Sequence, residues 1–136
     1  MAENRIQVAI VEDDESVRRA LGRLLAASNL AAKSFGSGRA FLDSLSGWRP
    51  DCVVLDLHMP ELNGLDVLAT LAEAGLALPV IVVTGRFSPE SRADCLAAGA
   101  LAYLGKPLDE TLFLRTIGDA VAHGRRPAGG PTTGTA

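Results

Sequence analysis

The chain has 136 residues, 48% of them hydrophobic and only 4% aromatic; that excludes an intrinsically disordered chain and predicts one domain with a core of Val, Leu, Ile and Ala. Thirteen basic and 16 acidic side chains leave a net charge of −3, so no general electrostatic pull draws the chain to nucleic acid or to an anionic membrane. Cys52 and Cys95 lie in apolar surroundings and read as small buried thiols, too few for a disulfide framework or a zinc site.

Ile6 to Val11 is an almost continuous apolar run that stops at Glu12-Asp13-Asp14. This predicts a strand buried on both faces, the habit of parallel sheets. From Glu15 the period becomes helical, with Val17, Leu21, Leu24 and Leu25 on one face and Arg18, Arg19 and Arg23 turned outwards. Ala31 to Phe35 is a weaker strand, followed by a short helix through Phe41, Leu42 and Leu45. Pro50 introduces the buried strand Cys52-Val53-Val54-Leu55, closed by Asp56, and Leu65, Leu68 and Leu71 carry a third helix beyond Asn63-Gly64.

Pro79 opens the strand Val80-Ile81-Val82-Val83, which ends at Thr84-Gly85. Ser88-Pro89-Glu90 supplies a cap, a first-turn proline and an acid for a fourth helix that ends near Ala98-Gly99. Ala102-Tyr103-Leu104 is a short strand before Gly105-Lys106-Pro107, and a last helix runs from about Asp109 through Leu114, Ile117 and Val121. The domain is expected to span residues 1–123. Residues 124–136 carry no large apolar side chain and read as a flexible tail or the stump of a linker. The apolar stretch Ala74 to Gly85 falls short of the roughly 18 residues a membrane span needs. The short run between Glu3 and Glu12 is no secretory leader. The expected location is cytoplasmic, with reduced thiols.

Five strands alternating with five helices predict an α/β fold, a doubly wound parallel sheet covered on both faces. In such sheets functional groups gather at the carboxyl ends of the strands. Glu12 and Asp13 close the first strand, Asp56 the third and Thr84 the fourth, and Lys106 lies just past the fifth. Three converging carboxylates repel one another unless a cation relieves them, and hard oxygen ligands suit Mg²⁺. With a lysine and a threonine beside them, the set amounts to a carboxylate nucleophile, a divalent metal and two donors aimed at a phosphoryl group.

Val11-Glu12-Asp13-Asp14, Asp56-Leu57-His58-Met59-Pro60 with Gly64, Val83-Thr84-Gly85, and Ala98-Gly99-Ala100 through Tyr103 to Lys106-Pro107 resemble the receiver domain of two-component response regulators. The likeness covers about Ile6 to Ala122. Ala40-Phe41-Leu42, Thr84-Gly85 and Pro107-Leu108-Asp109 resemble the FixJ type within that family. The resemblance implies a flavodoxin-like sheet of order 2-1-3-4-5, and Asp56 as acceptor of a phosphoryl group from a histidine kinase or phosphotransfer protein. It implies that Asp13, Asp56 and the backbone carbonyl of His58 ligate Mg²⁺, with Glu12 supporting the metal through water. Lys106 and Thr84 would hold the phosphoryl oxygens, and the Lys106–Pro107 bond would be cis. Tyr103 would be the aromatic switch, moving from exposed to buried as Thr84 shifts. Output would pass through the face of the fourth helix, fifth strand and fifth helix to a downstream protein, with a phosphorylation-dependent dimer as one form. No independent substrate is implied, nor any nucleic-acid binding by this chain.

His58 and Arg86 are bulkier than the smallest residues the family uses beside the acceptor and the threonine. Three alternatives stand beside the leading reading. One is a receiver fragment of a longer FixJ-type transcriptional regulator in place of a single-domain protein. Another is a receiver-like protein that binds partners without phosphorylation. The third is a haloacid-dehalogenase-type phosphohydrolase, which wants an acid where His58 stands.

Overall fold

The computed structural model describes residues 5–124. The elements alternate as β1 (Gln7–Val11), α1 (Glu15–Ala27), β2 (Ala31–Phe35), α2 (Gly38–Ser44), β3 (Cys52–Asp56), α3 (Gly64–Glu73), β4 (Val80–Thr84), α4 (Pro89–Ala97), β5 (Ala102–Gly105) and α5 (Glu110–Gly124). The strands form one parallel sheet in the order β2-β1-β3-β4-β5, as expected. The central strands β3 and β4 are buried at every residue, which is why they read as unbroken apolar runs.

Alternation along the strands divides the core into two layers. Val8, Ile10, Val54 and Ile81 pack with Leu21 and Leu25 of α1 and with Phe113 and Ile117 of α5. Ala9, Val11, Val53 and Leu55 pack on the other side with Phe41 of α2, Leu68 and Leu71 of α3 and Cys95 of α4. Both layers exclude water from the centre of the sheet, leaving the strand ends and the two edge strands, β2 and β5, towards solvent among the described residues.

Caps stop the helices where the site needs them. The Asp14 carboxylate accepts from the Ser16 and Val17 backbone N–H groups at the head of α1, and Asn63 forms a reciprocal capping box with Asp66 at the head of α3. The Ser16 hydroxyl bond, at 2.7 Å, together with those N–H groups holds the Asp14 carboxyl below the ordinary aspartate value. Ser88 caps α4 by accepting from the Ser91 N–H at 3.0 Å.

Three expectations change in detail. Arg18 does not turn outwards: it is half-buried and donates to the Glu12 carbonyl at 2.7 Å. In α3 it is Val67, with Leu68 and Leu71, that enters the core, while Leu65 stays half-buried. Gly124, expected in the tail, is the last residue of α5; the rest of that expected tail lies outside the described residues.

Candidate functional site

The carboxyl ends of β1, β3 and β4 and the segment after β5 meet at one rim. Parallel register sets Asp56 beside Val83, one residue before Thr84, and Thr84 beside Gly105, one residue before Lys106. The Lys106 backbone N–H donates to the Thr84 carbonyl at 2.7 Å, tying the start of the β5–α5 loop to β4. The Lys106–Pro107 bond is cis, as expected. Glu12 and Asp56 are buried at 2% and 5% exposure, while Asp13 is exposed at the mouth. Each of these three offers a carboxylate oxygen, and the three oxygens lie within 4.8 Å of one another. That hard-oxygen set fits a small divalent cation such as Mg²⁺, which asks the protein for few ligands and keeps waters on its open side.

The Lys106 ammonium occupies this acidic corner. It donates to Glu12 Oε1 at 2.8 Å and stands 3.6 Å from Asp56 Oδ1, close enough for Coulomb attraction but beyond a good hydrogen bond. Burial pushes both acids above their ordinary values, against the Lys106 contacts, and the mutual repulsion of Glu12 and Asp56 adds to the rise at Glu12. Burial also works against the lysine's charge, but its hydrogen bond to Glu12 and the charges of Asp56 and Glu12 outweigh it and hold its pKa above the ordinary lysine value.

These directions set a pH dependence. Glu12 and Asp56 hold their protons more tightly folded than unfolded. Stability of the metal-free protein therefore falls as pH rises from the ordinary carboxylate range through their raised folded values. Thermal melts in EDTA are expected to show a higher melting temperature in mildly acidic buffer than at neutral pH, with Mg²⁺ narrowing the difference. A melting temperature that climbs steadily towards neutrality in EDTA would contradict this.

Thr84 is fully buried, and its Oγ1 accepts the Arg86 backbone N–H at 3.0 Å. Its hydroxyl proton stays available for another acceptor. Two residues on, the loop reaches Ser88, whose N–H donates to the Tyr103 hydroxyl at 3.4 Å. Tyr103 itself is buried, and Phe87 packs on it edge to face with ring centroids 5.1 Å apart. So Thr84, the β4–α4 loop and Tyr103 form a continuous physical chain from the acidic corner to the β5 face. The ring occupies the inward end of the travel expected for an aromatic switch. The side chains of His58 and Arg86 are both exposed beside the rim.

Residues 8–117 match the response regulator receiver domain family. The chain belongs to that family. Response regulator MprA of Mycolicibacterium vanbaalenii is 41% identical over 109 residues, which cover 79% of this chain and 47% of MprA. Among solved structures, FixJ-N superposes with a TM-score of 0.82 at 32% identity over 88% of this chain and 96% of that one. A receiver protein from Burkholderia phymatum gives 0.78 at 45% identity over 87% of this chain and 96% of its own. The chain spans about half the length of the curated relatives it matches.

The rim brings together Glu12, Asp13, Asp56, Thr84 and Lys106 at adjacent strand ends, with His58 following Asp56 in the β3–α3 loop, while Tyr103 stands apart from them within β5. Two contributors were not anticipated: Arg18 caps the Glu12 carbonyl and Phe87 covers Tyr103. Gly64, already part of the motif after Asp56, donates its N–H to the Leu57 carbonyl at 2.9 Å. Among the described residues no helix is long and apolar enough to cross a membrane.

Proposed function

We propose that this receiver accepts a phosphoryl group on Asp56 from the phosphohistidine of a histidine kinase or phosphotransfer protein, and so works in two-component phosphorelay signalling. One observation carries the reading: the Lys106 ammonium set between buried Glu12 and Asp56, at 2.8 Å and 3.6 Å. An Asp56 oxygen forms the new bond to phosphorus while the donor's N–P bond breaks. Its electron pair leaves with the imidazole nitrogen, which takes a proton from solvent. Lys106 swings from Glu12 to the incoming phosphoryl oxygens, and the Thr84 hydroxyl donates its free proton to another.

Asp13, Asp56 and the His58 carbonyl would hold Mg²⁺, with Glu12 supporting it through water. When bound, the ion neutralises the carboxylates and the transferred group together. The chain catalyses its own phosphorylation and its own dephosphorylation, and turns over no independent substrate. Turning Thr84 towards a phosphoryl group gives up the Arg86 N–H and draws the β4–α4 loop after it. Ser88 on that loop holds the Tyr103 hydroxyl, so the change reaches α4, β5 and α5, where a downstream protein or a second phosphorylated copy docks. Exposed Phe87, Leu101 and Leu112 supply apolar contact there. The receiver unit ends with α5 and binds neither nucleic acid nor membrane. Its setting is the cytoplasm, where a thiol such as Cys52, pushed up to about 12 by burial, stays inert.

Beryllofluoride with Mg²⁺, a stable stand-in for the phosphoryl group, tests the route. Amide resonances from Arg86 to Ala98 and around Tyr103 are expected to shift. Shifts confined to α1 and α2 would refute it.

A further inference from the structure

The opposite edge of the molecule carries a feature that phosphoryl chemistry does not use. Arg5, Arg18, Arg19 and Arg23 line a groove of about 710 Å³, together with one carboxylate among the described residues, Glu15. Such a concentration of arginine stands out on a chain whose net charge is −3. Arg19 is paired to Glu15 at 2.9 Å, but Arg18 spends its hydrogen bond on a neutral carbonyl, so its charge is not cancelled. The floor is cut by small residues, Gly22 and Ala26 on α1 and Ala32 and Ser34 on β2. Register sets Ala32 and Ser34 beside Val8 and Ile10, which are fully buried, yet Ala32 and Ser34 themselves are exposed. Helix α1 therefore leaves Ala32 and Ser34 of the outer strand open to solvent on this face.

Among the described residues that strand is also open along its edge, because the one strand it pairs with there is β1. In a parallel ladder alternate residues direct their main-chain groups to opposite sides. The Ala31 N–H donates to the Ile6 carbonyl at 2.8 Å, and the Phe35 carbonyl accepts the Glu12 N–H at 3.0 Å. Ala31, Lys33 and Phe35 thus face β1, while Ala32 and Ser34 turn their N–H and C=O groups to the open side. The same two residues that floor the groove offer its free hydrogen-bonding groups.

We propose that the groove between α1 and the free edge of β2 docks an extended acidic segment of a partner protein. An added strand satisfies the main-chain groups of Ala32 and Ser34, and its period of two turns every second side chain towards Arg5, Arg18 and Arg23. Carboxylates at those positions meet the arginine charge. A nucleic acid has no amide backbone to pair with the edge, and the net negative charge of the chain repels a long polyanion. A second copy of this chain is disfavoured as well. Edge-to-edge pairing would bring two arginine walls together with Lys33, whose ammonium sits 4.9 Å over the Trp48 ring on the other face of the strand. The proposal stands apart from the phosphoacceptor reading, since none of the docking arginines serves the acidic corner except Arg18 through a backbone carbonyl.

The test is fluorescence anisotropy of the full chain with a labelled synthetic peptide alternating glutamate and valine, read alongside backbone amide spectra. Saturable, salt-weakened binding is expected, with shifts at Ala32, Ser34 and along α1. The double variant Arg5→Glu/Arg23→Glu, both exposed positions, should weaken binding at least about tenfold with its unfolding transition unchanged. Ala32→Pro, which removes an outward N–H at an edge position where proline is tolerated, should also weaken it. No peptide binding, undiminished binding by the charge-reversed variant, or tighter binding of a DNA duplex would overturn the proposal.

Discussion

Asp56→Asn is expected to abolish incorporation of phosphate from acetyl phosphate and Mg²⁺, and at the same time to make the metal-free domain more stable. The two effects share one cause. Asp56 is buried at 5% exposure among Glu12 and Asp13, and burial raises its pKa because the charged form is disfavoured there. An amide of the same shape removes that charge and keeps most hydrogen-bonding capacity, so the metal-free fold gains stability at neutral pH. The loss is chemical: an amide oxygen is no nucleophile towards phosphorus, and Glu12 is already held by Lys106 at 2.8 Å. Intact-mass spectra and thermal melts in EDTA read both halves. Wild-type labelling in the variant, or a lower melting temperature, would sink the corresponding half.

Gly64→Val is expected to cost about 3 kcal/mol and to slow labelling of Asp56 as well. A Cβ at Gly64 would come within 2.9 Å of the Leu57 Cα and 3.1 Å of the Asp56 carbonyl oxygen, and neither backbone atom can swing aside as a side-chain tip would. The first turn of α3 would have to lift off, and the β3–α3 loop that follows Asp56 and carries His58 would move with it. Gly118→Ala is the matched control. It lies within α5, a Cβ there meets nothing within 4 Å, and a helix-interior glycine replaced by alanine should gain about 0.5–1 kcal/mol. Denaturant melts of both variants decide the contrast. If Gly64→Val unfolds at the wild-type midpoint, the close approach is not constraining the site.

Much of this was legible before any coordinates. The runs Cys52–Leu55 and Val80–Val83 are strands because they are buried on both faces, and burial on both faces leaves no polar position to blur the signal. The site was legible for the complementary reason: Glu12, Asp56 and Thr84 are polar residues that abruptly end apolar runs, so the sheet topology alone gathers them. What escaped depends on side-chain direction and on distance along the chain. Helical periodicity puts Arg18 on the outer side of α1, but a long guanidinium can fold back over Gly36 to the Glu12 carbonyl. The choice of Lys106 for Glu12 over Asp56 is settled by less than an ångström, 2.8 Å against 3.6 Å, and Lys106 and Glu12 lie 94 apart in sequence. Phe87 reads as a loop residue until β5 brings Tyr103 beneath it.

The most direct measurement is the position of the acyl phosphate itself. The wild-type chain is treated with acetyl phosphate and Mg²⁺, the product is reduced with borohydride, and the peptides are sequenced by mass spectrometry. Reduction converts a phosphorylated aspartate to homoserine and leaves free carboxylates untouched. The account predicts homoserine at position 56 alone, and none when EDTA is present. Homoserine at Asp13, or a reduced side chain at Glu12, or a phosphate that forms equally well in EDTA, would contradict it.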